Sequence, residues 1–483
     1  MKRRDALKTI GGLAGAASLA KFLPGCSSDD DGPVGITTYV YLMMENRSYD
    51  HYLGARALEG LGGEGLKPGL MNRTLGGTVV APYPAPDDRG AEVATVCDID
   101  PPHGWDAAHE QFNGGLMDGF VTEHQADHGN LETATEPMKY MTRTNLPITW
   151  ALADAYTTCD RWFCSVMGPT LPNRAYWHAA TSFGIDNNND ILEKFSSVPV
   201  PTVYNRLQEA GVDWRFYYGN LAVVSLLANP GPYQIDIGPA DGTGKVRRFG
   251  DAKTGTGQFF KDAAAGTLPP VVYIDPGFSS NDDHPPVHPI LGQELIAAVY
   301  TALARSPQWK NCLLVVTYDE NGGYYDHVAP PLTTDDTEAK FGVPGFDQLG
   351  FRVPALVAGP YVKQGYISSV QYDHTSAIKH LQNVFGLAPL TARSEAAMDL
   401  ADCIDFERLA RGEPRAPITL PSLNADEWPI YHESCIAEGG FKQAHDPITE
   451  WADRNPGAFG PYDARGEETT MILGIREYLR NHS

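Results

Sequence analysis

The sequence predicts an α/β protein with a mostly parallel central sheet, helices on both faces and long loop insertions. Three observations predict it. Short apolar runs, Thr38–Met44, Val271–Ile274, Leu313–Tyr318 and Ala355–Ala358, read as parallel strands buried on both faces. Helical periodicities lie between and after them. Polar residues follow directly on three of the runs: Glu45-Asn46, Asp275 and Asp319-Glu320. In an open parallel sheet, ligands bind beyond the carboxyl ends of the strands, so these groups are expected to converge.

The chain has 483 residues, 42% hydrophobic, with 49 Gly and 37 Pro spread as loop punctuation. Residues 1–26 read as an export signal. Arg3-Arg4 precede a weakly apolar stretch, Ile10–Ala20, too short to span a bilayer. Leu23-Pro24-Gly25-Cys26 resembles a lipoprotein cleavage site, with Pro24 unusual there; the alternative is ordinary cleavage, with Cys26 removed or left free. The expected location is outside the cytoplasm: periplasmic, lipid-anchored at the envelope, or secreted. Residues 27–35 (SSDDDGPVG) form an acidic linker.

The net charge is −23, and since residues 1–26 contribute +4 the remainder carries −27. That balance excludes nucleic acid or anionic membrane as a partner held by bulk charge. An anionic substrate needs local positive charge, most simply a metal ion. Beyond Cys26 there are six cysteines, at 97, 159, 164, 312, 403 and 435, without a C-x-x-C pair. They permit up to three disulfides, and Cys312, opening an apolar run, reads as a buried thiol.

A catalytic domain over 36–395 is expected, with the loop-rich 185–267 a cap or insertion, and 396–483 a C-terminal extension packed on the core. Ile290–Leu303 has an apolar helical face. Asp373–Phe385 reads as a helix capped by Asp373 and stopped by Gly386, which makes Asp373 a cap rather than a ligand. Glu468–Arg480 reads as the last helix.

Four segments carry chemistry. Glu45 and Asn46 end a strand with two hard oxygen donors, which suit a divalent cation; a turn cap is the alternative. Asp319 and Glu320 are adjacent acids that repel unless a cation lies between them, and Gly322-Gly323 allow a sharp turn; an acidic surface turn is the alternative. Thr170 precedes a helix expected over 173–180, with Pro172 in its first turn. A helix N-terminus favours a phosphate, and a threonine hydroxyl beside a metal becomes a nucleophile; alternatively Thr170 only caps the helix. His103, His284 and His327 lie in loops and are candidates to protonate a leaving group, against structural roles for each.

Six segments then carry a resemblance: ENRSYDHYLG (45–54), PPHGW (101–105), GPTLPNR (168–174), YIDPGFSSNDDHPP (273–286), SPQWKNCLLVVTYDENGGYYDHVAPP (306–331) and LGFRVPALVAGPYV (349–362). In this order, over about residues 36–395, the chain resembles the bacterial phosphoesterase family of non-haemolytic phospholipases C and respiratory-burst-inhibiting acid phosphatases. The resemblance implies an alkaline-phosphatase-like fold and a nucleophile at Thr170. It implies metal ligands at Glu45, Asn46, Asp319 and Glu320, with His103, His284 and His327 near the phosphate and leaving group. Asp283 stands where the family often has Glu. About 90 residues after Leu390 leave little room for the extra C-terminal modules of haemolytic members.

The function expected is hydrolysis of a phosphate ester through a phospho-threonine. One divalent metal is expected, Mg, Mn or Ca before Zn, with Arg174, Asn173 and Asp283 binding substrate. A phospholipase C on phosphatidylcholine-type lipids comes first. An acid phosphomonoesterase is the alternative, and a non-catalytic surface lipoprotein a further one. A membrane is expected only through a lipid anchor or lipid substrate. A sulfatase would favour C-x-P-x-R where this chain has Thr170.

Overall fold

The computed structural model describes residues 35–86, 99–129, 133–194, 200–227, 233–239, 243–249, 257–278, 280–285, 287–423, 454 and 468–482. The expected export signal with Cys26, linker residues 27–34, Cys97 and Cys435 lie outside them.

Eight strands form the main sheet: β1 Thr38–Met44, β2 Thr157–Cys159, β3 Trp214–Tyr218, β4 Val246–Arg248, β5 Val271–Asp275, β6 Cys312–Tyr318, β7 Ala355–Ala358 and β8 Tyr366–Ser368. Their spatial order is β8-β2-β7-β6-β1-β5-β3-β4. All neighbours are parallel except at β7, which is antiparallel to both β6 and β2. That corrects the parallel reading of Ala355–Ala358. An apolar run buried on both faces looks the same in either direction, and the connection decides. Between β6 and β7 the chain forms only a short helix, Thr337–Phe341, and no crossover back to the starting edge.

The stretch 185–267, read as a cap or insertion, contributes β3 and β4 to the main sheet. The WRFYY of β3 pairs with β5, burying Trp214, Phe216, Tyr217 and Tyr218.

Six helices matter for the site and its support: α1 Tyr49–Tyr52, α2 Trp105–Phe112, α3 Thr170–Ala179, α4 Pro289–Ala304, α5 Thr375–Phe385 and α6 Glu468–His482. On one face, Tyr39 packs edge-on against His380 of α5, and Tyr41, two residues on, against Trp177 of α3. Side chains two apart share a strand face, so α3 and α5 cover the same side. The other face carries α4, on which α6 packs with an Arg476 Nε–Glu294 Oε1 contact of 2.9 Å.

Helix α3 starts three residues earlier than expected, with Pro169 as N-cap and Thr170 as its first residue. Pro172 then sits in the first turn, where backbone N–H groups lack helical partners and its missing donor costs nothing. Helix α5 has His374 as its N-cap, one residue after the Asp373 expected there; Asp373 Oδ1 accepts the Thr375 N–H at 2.9 Å from just outside the helix, and Gly386 ends it at φ 66°. Cys159, Cys164, Cys312 and Cys403 are buried thiols. No described helix is long and apolar enough to cross a membrane.

Candidate active site

Register brings the polar strand ends together. Met44 pairs with Tyr318, and Leu42 with Ile274, so Glu45, Asp319 and Asp275 emerge side by side from β1, β6 and β5. Asn46 turns the chain away at φ 59°, a left-handed conformation that asparagine tolerates better than most residues. Its N–H donates to Asp319 Oδ1 at 3.2 Å. Opposite it, a Cβ on Gly322 would lie 2.3 Å from the Asn46 carbonyl oxygen, so the β6 turn closes on β1 only with glycine there.

Thr170 enters from α3, and its Oγ1 donates to Glu320 Oε1 at 3.3 Å. The turn before it is pinned by Asn173, whose Oδ1 accepts the Val166 N–H at 3.0 Å while Nδ2 donates to the Gly168 carbonyl at 2.8 Å. Arg174, one residue on, is fully buried. It donates through Nε to Asp319 Oδ2 at 3.1 Å, through one terminal nitrogen to Asp275 Oδ1 at 3.0 Å, and through the other to Glu45 Oε1 at 3.1 Å. Asp283 turns inward and accepts the Tyr318 hydroxyl on Oδ2 at 2.6 Å.

Arg174, Asn173 and Asp283, expected to bind substrate, each have partners within the protein. Arg174 neutralises protein carboxylates, Asn173 holds the nucleophile turn, and Asp283 bonds the core. Residue type and motif position show that a polar side chain is present, but its partners come from strands far apart in sequence.

His103 reaches the site from the loop before α2. Its Nδ1 meets the Pro101 carbonyl at 2.7 Å, and its Nε2 lies 3.3 Å from Asn46 Nδ2 and 3.9 Å from Glu320 Oε1. His284 stands 5.6 Å from it, ring centre to ring centre, with its Nδ1 on the Pro285 carbonyl at 2.7 Å and a buried Nε2 without a hydrogen-bond partner among the described residues. Asp100, His103 and His284 bring ligating atoms within 4.8 Å of one another.

His327 belongs to a different cluster. Its Nδ1 lies 2.6 Å from Asp50 Oδ2, and Arg352 joins Asp50 Oδ1 at 3.1 Å and Asp326 Oδ1 at 2.9 Å. Among the described residues, the polar contacts of the His327 side chain are with Asp50 and Arg352, not with Thr170 or Glu320.

Burial penalises charge throughout this region. It raises the Asp275 carboxyl to about 6 although Arg174 opposes it. It lifts Asp319 and, further, Glu320 above the usual carboxylate range. At His103 burial pulls the pKa down, but the charges of Glu320 and Asp100 outweigh it and lift the imidazole to about 9. Four buried carboxylates, Glu45, Asp275, Asp319 and Glu320, thus meet one buried guanidinium. Among the described residues, Asn46 Oδ1 and Glu320 Oε2 are buried with no hydrogen-bond partner. Excess negative charge and orphaned hard oxygens fit a divalent cation at Glu45, Asn46, Asp319 and Glu320.

Two residues now visible had no assigned role. Asp275 was marked by its place after a strand. His374 donates from Nε2 to the Asp319 carbonyl at 2.6 Å and accepts the Trp162 indole N–H on Nδ1 at 3.4 Å, and nothing in its local sequence separates it from a helix-start histidine.

A buried acid cluster, a helix-start hydroxyl and two facing histidines are the parts of a phosphoryl-transfer centre. The model of the Phosphoesterase family matches residues 36–388, and the chain belongs to that family. Phospholipase C B of Mycobacterium tuberculosis is 32% identical over 426 residues, covering 80% of each chain. Non-specific phospholipase C6 of Arabidopsis thaliana is 31% identical over 425 residues, 80% of this chain and 75% of its own. Among solved structures, a protein of the alkaline phosphatase superfamily from Vibrio parahaemolyticus aligns with a TM-score of 0.33 and 14% identity, over 53% of this chain and 64% of that one. The protein is a phosphoric ester hydrolase.

Proposed function

We propose that this enzyme is a metal-dependent phospholipase C acting on phosphatidylcholine-type lipids through a phospho-threonine at Thr170. The observation that carries the reading is Thr170 itself: a hydroxyl on the first residue of α3, 3.3 Å from Glu320. Glu45, Asn46, Asp319 and Glu320 would hold the cation. When bound, the cation supplies positive charge that favours the Thr170 alkoxide and a phosphoryl oxygen.

The chain's own groups do the rest. At the start of α3 the Leu171 N–H is taken by Asn188 Oδ1 at 2.8 Å, Pro172 has none and the Asn173 N–H reaches the Pro169 carbonyl at 3.4 Å, which leaves the Thr170 N–H and the helix dipole to face a phosphoryl oxygen. Arg174 keeps Glu45, Asp275 and Asp319 in place. Thr170 passes its hydroxyl proton to Glu320 Oε1 and its Oγ1 attacks phosphorus, the bond to the lipid oxygen breaks, and His284, protonated on both ring nitrogens, gives that oxygen the proton from Nε2. Diacylglycerol leaves. Water then attacks the phospho-threonine and gives one proton to His284 Nε2, phosphocholine is freed, and the proton held by Glu320 returns to the Thr170 oxygen. Because His327 is bound into the Asp50–Arg352 cluster, His284 is the better acid of the two. The names of the mycobacterial and plant relatives support a diester lipid substrate. Export rests on the Arg3-Arg4 signal, with a lipid anchor at Cys26 as one form of it.

The test is turnover of p-nitrophenyl phosphate and p-nitrophenyl phosphorylcholine, with and without chelator, and with Thr170→Ala. Faster cleavage of the choline ester, lost in both controls, supports the phospholipase. Cleavage of the monoester alone makes the enzyme a phosphomonoesterase. Activity that survives in Thr170→Ala sinks the covalent mechanism.

A further inference from the structure

We propose that Arg47, Tyr318 and Gly292 clamp Asp283, and through it present His284 Nε2 to the leaving group. They are positioning residues for the protonation step. The inference rests on the reading of His284 as the acid.

Three restraints from three elements meet on Asp283, a fully buried residue held at φ 77°, which a non-glycine residue adopts at a cost. From β6, the Tyr318 hydroxyl donates to its Oδ2 at 2.6 Å. From the loop after β1, Arg47 Nε donates to its carbonyl at 2.8 Å. From α4, the missing side chain of Gly292 makes room: a Cβ there would lie 1.9 Å from Asp283 Oδ1.

Arg47 is itself fixed. Its backbone N–H donates to the Glu320 carbonyl at 3.0 Å, and its guanidinium lies 5.5 Å from the Tyr52 ring centre and 5.1 Å from that of Tyr324. One residue, through its backbone and its side chain, therefore registers the Glu320 segment against the Asp283 segment.

The next residue shows the consequence. His284 donates its N–H to Asp282 Oδ1 at 3.1 Å and its Nδ1 proton to the Pro285 carbonyl at 2.7 Å. The ring orientation is thereby set with Nδ1 protonated, so the form that carries a proton on Nε2 is the imidazolium. Nε2 is left buried, without a hydrogen-bond partner among the described residues, beside His103. With Asp283 pinned to the core, its neighbour is held toward the reacting centre.

The step this serves breaks the P–O bond and places the electron pair on the leaving oxygen, which takes the Nε2 proton. A glyceride alkoxide needs that proton, whereas p-nitrophenolate leaves without it. The experiment uses the full-length, metal-loaded enzyme with dihexanoyl phosphatidylcholine and p-nitrophenyl phosphorylcholine, and His284→Ala as reference.

If the clamp positions the acid, Arg47→Ala and Tyr318→Phe lose about 100-fold or more in kcat on the lipid. They lose less than about tenfold on the aryl ester, with KM little moved, following His284→Ala. Arg47→Lys recovers part of the lipid rate. Equal losses on both esters in the clamp variants, with the split kept in His284→Ala, overturn the clamp alone. Equal losses in His284→Ala overturn the acid assignment and the clamp with it. Should Arg47→Ala fail to fold by circular dichroism, Gly292→Ala decides by the same split, since it displaces the Asp283 carboxylate without stranding a charge.

Discussion

At the level of single residues, Thr170 is the proposed nucleophile and Arg174 the side chain that ties three strand-end carboxylates together. Thr170→Ala is expected to lower kcat at least about 1,000-fold with little change in thermal stability, because it removes one hydroxyl and one 3.3 Å hydrogen bond. Arg174→Met is expected to do the reverse of a surface change. It strands Glu45, Asp275 and Asp319 in the interior and should cost about 3–5 kcal/mol, read by urea unfolding of the metal-free protein. Motif reading located both residues. It placed Arg174 on the phosphate because an arginine four residues after a nucleophile suits an anion equally well. The partners that claim it come from β1, β5 and β6, and local sequence carries no record of them.

Among elements, the docking of α6 on α4 depends on a buried ion pair. Burial raises the Glu294 carboxyl to about 7 against the pull of Arg476. Arg476→Met should therefore destabilise the fold by about 3 kcal/mol or more, and Glu294→Leu added to it should return most of that loss in a double-mutant cycle. Strand positions were legible because runs such as TYVYLMM and CLLVVTY are apolar or aromatic apart from Thr38 and Thr317, as burial on both faces requires. The direction of β7 was not legible, since it depends on a connection that stays at one edge of the sheet. Nor was the sheet membership of β3: its WRFYY contains an arginine, and its burial depends on pairing with β5.

For the whole molecule, buried neutral imidazoles tie stability to pH. His380 lies against Tyr39 with neither ring nitrogen partnered, and burial holds it down to about 4. The unfolded chain takes up that proton near 6.5, so the native state loses ground as pH falls from about 6.5 toward 4. His380→Phe is expected to flatten the stability profile in that window by about 1.4 kcal/mol per pH unit, measured by urea titrations at several pH values. Metal removal acts on the whole fold too. A cation at 100 times its Kd adds about 2.7 kcal/mol, so a chelator should lower Tm, and Glu320→Gln should shrink that difference. Local sequence carried the α/β class, most of the buried strands, the Gly168-Pro169 turn before Thr170 and the list of chemical groups, because apolar periodicity, turn residues and residue chemistry are local properties. Only the tertiary structure decided that Arg174 answers the acids, that His327 joins Asp50 rather than Thr170, and that Asp283 faces the core with His284 beside the site. Those outcomes depend on which strand ends become neighbours, and strand register between segments hundreds of residues apart is settled only when the sheet assembles.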